Sequence, residues 1–113
     1  MKYNNEKMLS LCFAQIKTYL SDEDFEWVKT LSEDDVIGLH RTLGQRLRND
    51  LKLWYKSEVA KWFNSLGIAH ADDMSGIILK SFHRKFNDKP INLEEQVQYY
   101  KDWWAKPEGE RYG

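Results

Sequence analysis

"SEDDVIGLHRTLGQRLRNDLKLW", residues 32–54, decides the fold. Ser32 followed by Glu33, Asp34 and Asp35 is a helix-start signal: the hydroxyl accepts from a free backbone N–H, and the acids favour the positive end of the helix dipole. At about 100° per residue, Val36, Leu43, Leu47 and Trp54 project within one narrow sector, flanked by Leu39, His40 and Leu51. Arg41, Gln45, Arg48 and Lys52 fall on the opposite side. The spacing predicts one long helix from about 33 to 53, central to the domain. Gly44 inside it costs about 1 kcal/mol relative to Ala, which points to a close approach or a bend.

Apolar residues recur at helical spacing on both sides of this stretch. Leu9, Cys12, Phe13, Ile16 and Leu20 make one stripe over residues 5–20. Ser21 with Asp22, Glu23 and Asp24 opens a short helix through Leu31, with Phe25, Val28 and Trp27 inward. Downstream, Val59, Trp62, Phe63 and Leu66 form a stripe ended by Gly67 as a left-handed stop. Met74, Ile77, Ile78, Phe82 and Phe86 form another over 71–86, which Pro90 terminates because it cannot donate to the helix ladder. Asn92, Glu94 and Glu95 open the last helix, with Leu93, Val97, Tyr100 and Trp104 inward. No alternating run supports a strand. The expectation is an all-α, single compact bundle-like domain of five or six helices over residues 1–106, with 107–113 a mobile C-terminal tail.

At 113 residues the chain can bury a core without disulfides or metals, and its five Trp supply large apolar area. A net charge of −1 gives no global attraction to nucleic acid or anionic membrane. The sum conceals an asymmetry: residues 1–37 carry four Lys or Arg against eight Asp or Glu, and residues 38–69 carry six against two. The single Cys12 lies in an apolar stripe and reads as an inert core thiol in a reducing compartment, which makes the cytoplasm the expected address. No apolar run reaches the roughly 18 residues of a membrane span, and the first residues lack a signal-peptide layout, so no membrane association or export is expected.

The densest group of titratable side chains is His70-Ala71-Asp72-Asp73-Met74-Ser75. As a metal or acid/base site it has a geometric defect: adjacent carboxylates on a helix point about 100° apart and do not converge readily with His70. As a helix start it fits, with His70 as cap and Asp72 and Asp73 in the first turn, the layout shared by residues 21–24, 32–35 and 92–95. His40 reads as a satisfied core histidine beside an apolar face, and His83 as an exposed residue on a polar side. Arg46 and Asp50 are spaced for an intrahelical pair. No nucleophile elbow, Walker loop or dinucleotide glycine pattern is present, so no catalytic residue, cofactor or metal is assigned.

Two surfaces remain as binding candidates. Tyr99 and Trp103 lie off the inward stripe of the last helix and need something else to pack on, a protein partner or a second copy. Arg41, Arg48 and Lys52, continued by Lys56 and Lys61, could meet phosphates, which makes nucleic-acid binding through a basic helix face the alternative.

The pattern Leu39-His40-x-x-Leu43-Gly44-x-x-Leu47-Arg48-Asn49, then Leu53-Trp54, then Gly67-Ile68-x-His70-x-Asp72-Asp73-Met74-Ser75-x-Ile77-Ile78-Leu79, resembles a family of small bacterial and phage proteins known as a domain of unknown function. The resemblance spans residues 36–104 and brings no activity with it. Its motif positions here are Arg48, Asn49, Trp54, His70, Asp72, Asp73, Met74 and Ser75. The family tends to carry Pro at the position of Ala71, which agrees with His70 as cap. It also carries Gly where this chain has Lys52, and that replacement implies a more continuous helix here. Together these readings point to a small cytosolic protein-binding or accessory module.

Overall fold

A computed structural model describes residues 3–111, and among these the chain is helical with no strand. Eight α-helices follow in order: α1 (Asn5–Lys17), α2 (Asp22–Thr30), α3 (Glu33–Ile37), α4 (Leu43–Asp50), α5 (Glu58–Ser65), α6 (Ala71–Lys85), α7 (Leu93–Ala105) and α8 (Glu108–Arg111). A 3-10 turn, Gly38–Arg41, joins α3 to α4. The radius of gyration of 14.0 Å is close to the value of about 13 Å for a compact domain of 100 residues.

The count exceeds five or six chiefly because the long helix expected over 33–53 is broken. α3 stops at Ile37, Thr42 leaves helical geometry with φ −106 and ψ −86, and α4 stops at Asp50. Lys52 then adopts a left-handed φ of 52. Its N–H donates to Asn49 O at 3.2 Å and that of Leu53 to Arg48 O at 2.9 Å, the paired bonds of a Schellman stop. Lys52 therefore occupies the position where glycine is preferred, and the helix ends there despite the missing Gly. Gly67, with φ 95, closes α5 by the same pair of bonds, Gly67 N–H to Asn64 O and Ile68 N–H to Phe63 O.

The central element is α6. Its buried positions include Met74, Ile77, Ile78 and Phe82 from the expected stripe, but also Ser75, Leu79, Ser81 and His83 around the rest of the cylinder. A helix covered on most sides sits inside the bundle, and α1, α3, α4, α5 and α7 all pack on it. Between α1, α2 and α6, Phe13, Phe25, Phe82 and Phe86 meet largely edge-on, with Phe13–Phe82 centroids 5.7 Å apart and Phe25–Phe86 5.1 Å. Trp62 and Phe63 of α5 are fully buried, and the Trp62 indole N–H donates to Asn5 Oδ1 at 2.8 Å, tying α5 to the start of α1.

Side-chain capping holds at some starts only. Asn4, Ser21, Ser32 and Ser57 accept from the backbone N–H of Lys7, Asp24, Asp35 and Ala60. His70 and Asn92 occupy cap positions without a side-chain cap bond, and Asn92 is left-handed at φ 51. At the other end of the chain α8 turns over the region expected to be a mobile tail, where the Arg111 guanidinium lies 5.0 Å from the Trp104 ring centroid. Tyr112 and Gly113 lie outside the described residues.

Candidate functional site

Arg48 organises a buried polar cluster. Its side chain is only 3% exposed, so it is not part of a solvated basic stripe with Arg41 and Lys52. The reason lies in what surrounds it. Nη1 donates to Ser75 Oγ at 2.8 Å and to His40 Nδ1 at 3.2 Å, and Nη2 donates to His40 O and Gln45 Oε1, both at 3.1 Å. Asp72 Oδ1 lies 3.4 Å from Nε, an ion pair without a hydrogen bond. Satisfying a guanidinium inside the protein takes this many acceptors, because an unpaired buried charge is far costlier than a broken helix turn.

Gly44 makes the arrangement possible. A Cβ there would stand 3.0 Å from Arg48 Nη1, so any other residue would push on the guanidinium where it folds back against its own helix. The cluster joins the 3-10 turn, α4 and the first turns of α6. His40 and Asp72 thus meet through Arg48, while His70 does not join them.

The cluster is poorly suited to nucleophilic chemistry. Ser75 is fully buried, its oxygen accepts from Arg48, and its proton goes to Asp72 O at 3.0 Å. A guanidinium only donates, so His40 Nδ1 is the unprotonated ring nitrogen and is already engaged. No base therefore faces the hydroxyl. Cys12 offers no alternative: burial pushes its thiol up to about 12, leaving no thiolate at neutral pH.

His70 and Asp73, at the start of α6, belong to a second cluster, which faces α7. The His70 ring stacks on Trp104 with centroids 3.9 Å apart and planes at 16°, and the Trp104 indole N–H donates to Asp73 Oδ2 at 2.8 Å. Asp73 is thus a receptor for α7 rather than a capping acceptor. Burial raises its carboxyl above the ordinary range, offset in part by the Trp104 hydrogen bond and by His70. Above it, Gly76 leaves room for the Tyr100 hydroxyl, 3.1 Å from where a Cβ would be. Gln96 donates to Ser81 Oγ at 3.1 Å and to Ile91 O at 2.9 Å, completing the seam.

Other expected positions scatter. Asn49 is exposed and accepts from Gln45, whereas Met74 is core. Arg41 and Lys52 are exposed. His83, expected at the surface, is buried and donates from Nε2 to Leu31 O at 2.6 Å. Arg46 and Asp50 meet on Tyr19, just past the end of α1, rather than on each other: the guanidinium lies 4.0 Å from the ring centroid and Asp50 Oδ2 accepts the hydroxyl at 2.6 Å. Tyr99 is 64% exposed, while Trp103 is partly buried, edge-on to Trp104 and near Arg111.

Trp54, expected inward, is 55% exposed, and its neighbour Tyr55 is 72% exposed. The cause is the early stop of α4: Leu53 takes the buried place, and the two rings stand outward on the turn that follows. Tyr55 was legible only as an aromatic next to Trp54 between two lysines, a weak signal without knowledge of where the helix ends. Among the described residues no group of three or more His, Cys, Asp or Glu side chains is placed to hold a metal, and no helix is long and apolar enough to cross a membrane.

Residues 7–86 match the family model of a domain of unknown function, DUF6794. The match begins in α1 and ends just past α6, so it takes in the Arg48 cluster and the Trp54–Tyr55 turn and leaves out α7. No curated protein and no solved structure matches the chain.

Proposed function

We propose that this chain, which belongs to the DUF6794 family, a domain of unknown function, is a small protein-binding or accessory module that works through the aromatic turn after α4. The observation that carries the reading is the adjacent pair Trp54 and Tyr55, 55% and 72% exposed. The pair stands on a fixed base, since Leu53 is buried and the turn is bonded back to α4 at Arg48 and Asn49. Trp and Tyr presented on a rigid support give large contact area at low entropic cost, the feature of interface hot spots. Tyr99 and Trp103 on α7 are a second aromatic candidate, outside the matched family region.

In this reading the Arg48 cluster is a clamp that sets the angle of α4 and hence the position of the turn. The setting we propose is the cytosol, in a bacterial or phage context, supported by the single buried thiol and by the sequence resemblance. Nucleic-acid binding is the weaker reading, because Arg48 spends its charge inside the protein and only Arg41, Lys52, Lys56 and Lys61 remain outside.

Affinity capture from a bacterial lysate with the wild-type chain and with W54A/Y55A tests the proposal. A protein held by the first and lost by the second, with both chains folded, is the expected result. Equal capture by both overturns it, as does retardation of DNA or RNA at low salt that charge reversal at Arg41 and Lys52 abolishes.

A further inference from the structure

We infer that the Trp54–Tyr55 turn of one chain docks into the groove between α1 and the α6–α7 connection of a second copy. The inference rests on the reading of the aromatic turn as a contact surface and adds its receptor. The groove has a volume of about 620 Å³, within the range of sites that take a small ligand. Leu9, Phe13, Ile91 and Leu93 give it apolar walls, and Glu6, Glu94 and Glu95 stand against a single Lys85. None of these four charged residues is in an ion pair among the described residues.

The chain itself carries the complementary segment. Lys52 and Lys56, both exposed, bracket Trp54 and Tyr55, so the turn presents aromatic surface between two cations to a groove that presents apolar surface among three carboxylates. Trp104, 38% exposed and flanked by Lys101 and Lys106, is already taken up by the His70 stack, the Asp73 hydrogen bond and the Arg111 guanidinium, and the other exposed aromatics lack this pairing. Trp27, 54% exposed, follows Glu23, Asp24 and Glu26, and its nearby Lys29 is already bound to Glu26 at 3.5 Å. Tyr99 sits between Gln98, Asp102 and Lys101 with no cationic bracket.

Turn and groove are different surfaces, so the contact is heterologous, and an assembly of any length keeps one free turn at one end and one free groove at the other. Two aromatic side chains bury about 150–250 Å² each, below the roughly 800 Å² per partner of a standard interface. The association is therefore weak, concentration-dependent and salt-sensitive.

Sedimentation velocity over increasing concentration, up to about 1 mM, the weak end of specific association, reads it directly. The average mass of the wild-type chain is expected to rise beyond that of a dimer. W54A/Y55A, which lacks the turn, and E94K/E95K, which reverses the groove, are each expected to stay monomeric, yet their equimolar mixture gives a 1:1 complex and nothing larger. Adding K52E/K56E to E94K/E95K in one chain restores association. Should charge reversal loosen α7 by circular dichroism, E94Q/E95Q keeps the test, with partial loss expected. A wild-type chain that stays monomeric, or a mixture of folded variants that does, overturns the inference. If capture of another protein through Trp54 persists in that case, the protein-binding reading survives and only the self-docking fails.

Discussion

Arg48 Nη1 donates to Ser75 Oγ at 2.8 Å across 27 residues of sequence, inside a protein that leaves the arginine side chain 3% exposed. This bond fixes α4 against α6 and places the turn that follows.

Removing the two partners of the clamp should have unequal effects. Arg48→Met leaves Ser75, Gln45 and the His40 carbonyl without their donor, and should cost about 3 kcal/mol, the upper part of the usual range for single substitutions. Asp72 is 59% exposed and holds no hydrogen bond to Arg48, so Asp72→Asn should cost less than about 1 kcal/mol. Urea denaturation of both variants checks the ratio; equal losses would place the energy in the ion pair instead.

Glycine at 44 should resist the usual rule. Ala in place of Gly inside a helix gains about 1 kcal/mol, but here the new Cβ meets Arg48 Nη1 at 3.0 Å. Gly44→Ala should destabilise the wild-type chain and stabilise the Arg48→Met background. A double-mutant cycle by chemical denaturation reads that change of sign.

Lys52 should do the reverse. A non-glycine residue at φ 52 costs roughly 1–2 kcal/mol relative to its relaxed state, so Lys52→Gly should raise stability by about 1 kcal/mol. A thermal melt checks it, and a lowered melting temperature would contradict the Schellman assignment.

Glu33 and Asp73 should respond to pH with opposite signs. Arg84 Nε donates to Glu33 Oε1 at 2.7 Å and holds that carboxyl below its ordinary range, so its stabilisation is present at neutral pH and is lost as pH falls through the depressed value. Asp73, raised chiefly by burial, favours the proton in the folded chain. Its contribution is full at low pH and is lost as pH rises through the raised value. Glu33→Gln should flatten the acid limb of a stability profile, and Asp73→Asn should flatten the opposing slope just above the ordinary carboxylate range, as measured by denaturation at a series of pH values.

Much of the fold was legible because its causes are local. Serine caps at 21 and 32, the stripes of α1, α5 and α6, and the stop at Gly67 all follow from a few neighbouring residues. The misreadings share a different origin. Periodicity assigns Arg48 to the polar side of a helix, but its acceptor Ser75 lies on α6, and no local pattern announces that contact. The break at 38–42 brings His40 to the same guanidinium, and the exposure of Trp54 comes from a helix stop that carries lysine where glycine would have signalled it. His70 and Asp73 had the signature of a helix entrance, and their function as a platform for Trp104 depends on a helix that begins at Leu93.

The most direct test is one comparison of association at matched fold: sedimentation of W54A/Y55A beside the wild-type chain, in the concentration range where the wild type associates. The substitutions touch exposed rings only, so each should change stability by about 0.5 kcal/mol or less, while association disappears. Undiminished association by a folded W54A/Y55A chain would contradict the assignment of contact to the aromatic turn.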